Sequence, residues 1–518
     1  MPPVYPRFAL CALLAPAVVA GQSTTTPSSS GTSVGPSRGT VIVVGGGSMG
    51  PELYSAFIEA AGGPDALIID VPTAGGDSAY GQNAPGTRGW KLAGAKNVYV
   101  LHTKDKRLAD TDTFAAIIKR AGGVWFEGGR QFHLVDSYAG TKTEQAFHDV
   151  LARGGVVGGS SAGASILGDF LVRGAPSNNN YIMDDPRYEK GFAFLRGVGI
   201  DQHVVARERL SDLADSIISK YPGMLAISED EGTAWVVRGD TATIVGRNKA
   251  FVYGGKDPTD RGKPFLTLFP GDRYNLATRH VTHRAADESP VAASFIDSLF
   301  KKYVNPSAGG ATVLVAQGGK VFVNRSFGIP DQPKYMPTTT VPQFALGGIT
   351  EVFTALCAQL PEPPARGGGR GAPDSAGRGR GGRASGPPAT PFQNCITRRV
   401  STPIGMHKTA ATADGMVQSS VDELYRLSLG LENPRTFSRD STANGNGVAV
   451  DLTRGWKTES YGGVSRLSAY GTPDGHRSAF VRIPERRATV IVLTNDDAAD
   501  AKRIADEITN RLLNAKTR

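Results

Sequence analysis

From Thr40 onward the chain alternates short β-branched runs with helix-length segments: "TVIVVGG", "ELYSAFIEAAGG", "ALIIDVPTA", "NVYVLHT", "FAAIIKRAGG", "VWFEGG", "FHDVLARGG" and "VVGGSS". A strand with one wet face alternates apolar and polar residues; these runs do not. Both faces of their sheet must therefore be covered, and strands separated by helix-length connections run parallel. The expectation is an α/β domain with a doubly wound parallel sheet. It continues through "GVGIDQHVV", the helical "RLSDLADSIISKY" and "MLAISEDEGTAWVV", then turns β-rich up to about Ala286, giving a domain over 40–286.

A second segment, 290–518, opens with the helical "VAASFIDSLFKKYV" and a hairpin, "ATVLVAQGGKVFVNRSFG", turning at Gly318 and Gly319. It closes with the strand "RRATVIVLTND" and the helix "DAKRIADEITNRLL". Strands at both ends with helices between predict an α+β unit.

The flanks read differently. Residues 1–20 carry Arg7, an apolar run from Phe8 to Ala20 and small residues at Val18 and Ala20, the layout of a secretory signal cleaved before Gly21. The expectation is an exported protein, periplasmic or extracellular, with no membrane association after cleavage. Residues 21–39 are a polar tether, and the insertion 361–391 holds five arginines against one acid in its Pro364 to Pro391 part, with almost no apolar side chain. Such a stretch cannot bury enough surface to fold and reads as a disordered linker rather than a nucleic-acid site. It also carries a good part of the net charge of +9. Cys11 leaves with the signal, so Cys357 and Cys395 remain, either as a disulfide or, as readily, as buried thiols.

The chemistry concentrates in "VVGGSSAGASILG", Val156 to Gly168. Gly159, Ser161 and Gly163 fit G-x-S-x-G between a strand and a helix, a sharp turn that thrusts a serine hydroxyl out at the sheet's carboxyl end. That singles out Ser161 rather than Ser160. A serine needs a base, and "GIDQHVV" puts His203 at the end of another predicted strand. The base needs an acid, and "ISEDEGTAW" offers Glu229, Asp230 and Glu231 at the end of the next.

These residues resemble the cyanophycinase and dipeptidase E serine peptidases, whose fold is similar to class I glutamine amidotransferases and flavodoxin-like. The resemblance rests on "GGGSMGPELY", "IIDVPTAGG", "FEGGRQ", "GGSSAGAS", "GIDQH" followed by Arg207 and Arg209, and "DEGTA". It implies Ser161 as nucleophile, His203 as general base and Glu231 as orienting acid, with the amides of Gly129 and Ala162 as the oxyanion hole. It further implies Gln131, Asp201, Gln202, Arg207 and Arg209 as the substrate pocket, no cofactor, and cleavage of aspartyl bonds such as those of an aspartate-arginine polymer. A homodimer is the assembly it leaves open. One position departs: in the family's R-x-R-x-x-R-L pattern this chain has Asp212 where a third arginine stands, an anion for a cation, which puts recognition of the polymer itself in question.

Two other readings are set aside. Gly45, Gly47 and Gly50 satisfy G-x-G-x-x-G after a strand, with Asp70 twenty positions on, the dinucleotide fingerprint. In the family resembled, the same loop is simply the first strand-to-helix connection. His280 and His283 of "RHVTH" fall on opposite faces of an extended segment and no carboxylate cluster is expected to adjoin them, which argues against a metal site.

In the second segment "FALGGITEVFTA", "TPIGMHKT" and "DGMVQSSVDEL" resemble serine β-lactamases and penicillin-binding-protein-like hydrolases. Their Ser-x-x-Lys is replaced by Gly348 and Glu351, the Tyr-x-Asn element is absent, and near "SAYGTPDGH" the usual histidine-glycine start is missing. The resemblance implies an inactive β-lactamase-like domain. The whole reads as an exported serine exopeptidase or isopeptidase; the rivals are a binding protein of degenerate hydrolase folds and an amidotransferase-like amidase.

Overall fold

The computed structural model describes residues 33–177, 185–304, 310–328, 343–360, 389–432 and 450–514. The signal, residues 21–32 of the tether and residues 361–388 of the arginine-glycine insertion lie outside them.

Five parallel strands form one side of a nine-stranded sheet, with β3 at its edge: β1 (Thr40–Val44), β2 (Leu67–Val71), β3 (Asn97–Val100), β4 (Gly123–Phe126) and β5 (Val156–Ser160), in the order β3-β2-β4-β5-β1. Alternate residues of β1 feed different cores. Val41 and Val43 join one cluster, whereas Ile42 and Val44 join another with Phe57 and Trp125, under the helix Pro51–Ala60. Both faces are covered, as the unalternating β-branched runs predict.

The chain departs from one all-parallel sheet after β5. Strands β6 (Gly168–Phe170), β7 (Leu195–Gln202) and β8 (Leu225–Glu229) run parallel in a second, five-stranded sheet. Strand β9 (Thr233–Arg238) then returns to the first sheet, antiparallel to β1. The three residues Asp230 to Gly232 between β8 and β9 explain this return, since a parallel crossover needs a dozen residues or more. Strand β10 (Thr241–Gly246) follows β9 in the first sheet, and β11 (Ala250–Tyr253) and β12 (Leu266–Leu268) extend the second. Strands β13 (Arg273–Asn275) and β14 (His280–His283) complete the edge of the first sheet. On β14, His280 pairs with Asp257 at 2.9 Å and His283 with Glu288 at 3.1 Å.

The end of the tether is fixed rather than free. The Asp240 carboxylate accepts the amides of Val34 (2.7 Å) and Gly35 (2.9 Å), and Arg196 donates to the Ser33 carbonyl at 3.0 Å. The polar composition of 33–39 hid these contacts.

The C-terminal part has cores of its own, around Phe353 and Leu424 on one side and Ile296 and Ile508 on the other. Between them lies a six-stranded antiparallel sheet in which the hairpin Ala311–Gln317 and Lys320–Phe327 meets the last strand, Ala488–Thr494. Gly318 and Gly319 turn that hairpin with φ of 59° and 81°, the left-handed pair a two-residue loop requires. Cys357 and Cys395 form a disulfide joining the helices Thr350–Gln359 and Pro391–Cys395.

Candidate active site

Strand β5 ends in a bend that exposes one hydroxyl. Ser161 has φ 58° and ψ −116°, a conformation non-glycine residues rarely adopt, and it starts the short helix Ala162–Ser165. The helix can begin so abruptly because Gly163 lies against β4, where a Cβ would overlap the Phe126 carbonyl. On the other side Gly128 approaches so closely that a Cβ there would stand 3.3 Å from that of Ser161, which brings the Gly128–Gly129 loop against the serine.

His203 directly follows β7 in the second sheet, and the two sheets are stitched together beside it. The Gly45 amide donates to the Thr233 carbonyl and the Gly45 carbonyl accepts the His203 amide, each at 3.0 Å, while Ser161 donates its amide to Val44 at 3.1 Å. The imidazole is 5% exposed. Its Nε2 lies 2.8 Å from the Ser161 Oγ, and its Nδ1 lies 2.6 Å from Oε1 of Glu231 in the β8–β9 turn.

The "GGGSMG" loop is the surface on which these groups rest. A Cβ on Gly46 would overlap the His203 ring, and one on Gly47 would lie 2.5 Å from the Glu231 carboxylate. Gly47 of the dinucleotide-like fingerprint and its neighbour Gly46 thus serve the close approach of a carboxylate and an imidazole. Asp70, which would have received a ribose, is fully buried; burial first, then the Glu127 carboxyl facing it, push its carboxyl up to about 9.

Burial lowers the His203 imidazole against the opposing pull of Glu231, which favours the neutral ring, the form that accepts a proton. Burial alone would raise Glu231, but hydrogen bonds from His203 and from His407 outweigh it and hold the carboxyl well below its ordinary range. Of the neighbouring acids, Asp230 is wholly occupied. It accepts the amides of Val205 (3.1 Å) and Ala206 (2.9 Å), the side-chain amide of Asn248, and Arg426 at 3.0 Å. Glu229 is fully buried, which pushes its carboxyl far up.

The five expected pocket residues separate. Arg207 is exposed and close enough to Arg130 and Glu231 to feel their charges. Gln131 and Gln202 are buried, donating to the Val172 carbonyl (3.3 Å) and the Ser165 hydroxyl (3.5 Å). Asp201 is fully buried, and both its oxygens are held by Arg173, at 3.0 and 2.9 Å. Arg209 is also buried, with Nη1 4.0 Å from Asp201.

Asp212 pairs with the same Arg173 at 2.5 Å. The anion in the family's arginine position therefore meets a cation supplied from elsewhere in the chain. Arg173 has φ 60° and nothing in its local sequence flags it. His407 and Arg426 were equally hidden, since each meets its partner across more than 170 residues of chain.

Residues 41–245 match Peptidase family S51. The chain is 29% identical over 275 residues to a cyanophycinase of Synechococcus elongatus, spanning 48% of this chain and 82% of that one. It is 29% identical over 264 residues to a cyanophycinase of Geminocystis herdmanii, spanning 46% and 95%. Among solved structures, a peptidase from an acI-B1 Actinobacterium is similar over 47% of this chain and 98% of its own, with 22% identity and a TM-score of 0.34. The family match and the cyanophycinase relatives identify the chain as a serine-type peptidase.

Proposed function

We propose that the chain hydrolyses aspartyl peptide bonds of the β-aspartyl-arginine type, as an exopeptidase or isopeptidase, with Ser161, His203 and Glu231 acting as nucleophile, base and orienting acid. The observation that carries this reading is the unbroken hydrogen-bonded chain, 2.8 Å from Ser161 to His203 and 2.6 Å from His203 to Glu231, on a serine held at φ 58°.

The Ser161 Oγ attacks the scissile carbonyl carbon as its proton passes to His203 Nε2. The carbonyl oxygen becomes an oxyanion facing the amides of Gly129 and Ala162, where loss of one donor costs about 3–4 kcal/mol. His203 then gives its proton to the leaving nitrogen, and the C–N bond breaks. Water adds to the acyl-serine by the same route, with His203 again taking and returning the proton. Glu231 keeps Nδ1 protonated throughout, so Nε2 is the free acceptor. Exposed Arg207, with Arg130 nearby, gives the approach a positive character suited to a substrate carboxylate.

The domain reading is also a proposal: a peptidase unit over 40–286, and over 290–518 a β-lactamase-like unit without its own chemistry, given Gly348 and Glu351 at the key positions. Export is proposed from the N-terminal composition, with Gly21 as the expected first residue of the mature chain.

Ser161→Ala should lower turnover of β-aspartyl-arginine by at least about 10³-fold with an unchanged melting temperature. A fluorophosphonate probe should label the wild type at Ser161 and leave the variant unlabelled. Full turnover by Ser161→Ala, or no labelling of an active wild type, refutes the mechanism.

A further inference from the structure

Glu231 has two carboxylate oxygens, and His203 uses only Oε1. Its Oε2 receives Nε2 of His407 at 2.5 Å, from a loop 176 residues further along the chain. A carboxylate bound through one oxygen can still rotate about its terminal torsion; two bonds from opposite sides hold it.

The loop that carries His407 is itself anchored. Gly405, with φ 69°, offers its carbonyl to Arg426, and the Met406 amide donates to Ser401 at 2.9 Å. Past the histidine, Glu423 accepts the Lys408 amide and the Thr409 hydroxyl, each at 3.1 Å. Arg426 and Glu423 lie on the helix Val421–Glu432, 3.0 Å apart. The same Arg426 donates to Asp230, the neighbour of Glu231, and Asp422 at the helix start pairs with Lys249 at 2.9 Å. Arg426 and Asp230 are 4% and 0% exposed. One helix thus grips the β8–β9 turn and, through its loop, the carboxylate in that turn.

We propose that the C-terminal part completes the active site by supplying His407 as a positioning residue, which fixes the Glu231 carboxylate and through it the tautomer and orientation of His203. This rests on the triad reading above.

His407 faces Glu231, Glu423 and Arg426, has Lys408 beside it on its own loop, and lies beyond Gly405 from Arg247. His203 faces Glu231, Asp230 and Arg207. A protonated His407 neutralises part of the Glu231 charge that would otherwise favour protonation of His203. Removing that cation should raise the pH at which His203 takes up a proton.

The test uses the full chain, β-aspartyl-arginine as substrate, and two variants. His407→Gln keeps an N–H donor without the charge. Its kcat should stay within about threefold of wild type, while the acid limb of kcat/KM moves up by roughly half a pH unit or more. His407→Ala loses the donor as well, so kcat should fall about tenfold with the same limb shift and little change in KM. Wild-type kcat and limb in both variants, or a fall in kcat with an unmoved limb, overturns the proposal. If His407→Ala does not fold, the limb of His407→Gln decides alone: a shift supports the proposal and its absence overturns it. Fluorophosphonate labelling of the wild type separates this outcome from failure of the triad itself, because an unlabelled wild type removes the triad whatever residue 407 does.

Discussion

Gly46→Ala is the sharpest perturbation the structure offers, because it adds one carbon atom and places it against the base. The new Cβ would overlap the His203 ring and stand 2.8 Å from its Nδ1. Unstrained carbon contacts lie near 3.5 Å, so the ring must retreat by about 1 Å. It has little room to do so, since His203 is 5% exposed and hydrogen-bonded at both nitrogens. A displacement of about 1 Å in a reacting group costs on the order of 10²-fold in rate, about 2.7 kcal/mol. The backbone adds a separate penalty, because φ at Gly46 is 92° and a left-handed conformation costs a non-glycine residue about 1–2 kcal/mol of stability.

Gly63→Ala separates the two effects. Its φ is 98° but nothing lies within 4 Å of the added Cβ, so it carries a comparable backbone penalty without the collision. The assay is kcat/KM on β-aspartyl-arginine together with the fluorophosphonate labelling rate, with melting temperatures recorded alongside. Both variants should melt lower, and only Gly46→Ala should lose about 10²-fold in kcat/KM and in labelling. Wild-type kcat/KM in Gly46→Ala, or equal losses in the two variants, would show that the loop does not seat the base.

Asp70 should make stability depend on pH. Its folded carboxyl, pushed up to about 9 by burial and Glu127, lies above its unfolded value of 3.8, so the stabilisation it contributes is complete below pH 3.8 and is lost as pH rises toward 9. Asp70→Asn should therefore gain more over wild type at pH 8.5 than at pH 5, by up to about 5 kcal/mol in urea unfolding, and an equal gain at both values would contradict the buried, protonated carboxyl. The Cys357–Cys395 disulfide closes a separation of 38 residues, worth about 4 kcal/mol by chain entropy. Cys357→Ser should lower the urea midpoint of the C-terminal part while leaving turnover at 25 °C intact; an unchanged midpoint would mean that the bond adds nothing to stability.

What could be read in the sequence was local. Ser161 stood out because glycines two residues to either side permit a turn that only one hydroxyl can lead. His203 and the acids stood out because they end consecutive strand-like runs. The difference between Glu231 and Asp230 was not local, since both sit in one three-residue turn and differ in what each faces: His203 for one, the Val205 and Ala206 amides for the other. The division of the strands between two sheets was hidden because β7 and β8 have the same unalternating composition as β1. The partner of Asp201 was hidden as well, because Arg173 reaches it from 28 positions away.

The "GGGSMG" loop shows how far such reading can go. A run of glycines after a strand reports that something will approach the backbone more closely than a Cβ allows, and it is silent on what that something is. In a dinucleotide site it is a pyrophosphate, with a carboxylate on the next strand turned outward to the ribose. Here that carboxylate, Asp70, is fully buried, and the space over Gly46 and Gly47 is filled by His203 and Glu231, delivered by strands that follow more than 150 residues later. The same loop joins the two sheets, with the amide and carbonyl of Gly45 bonded to Thr233 and His203. A side chain at Gly46 or Gly47 would collide with His203 or Glu231, which ties the glycine run to the approach of those two side chains.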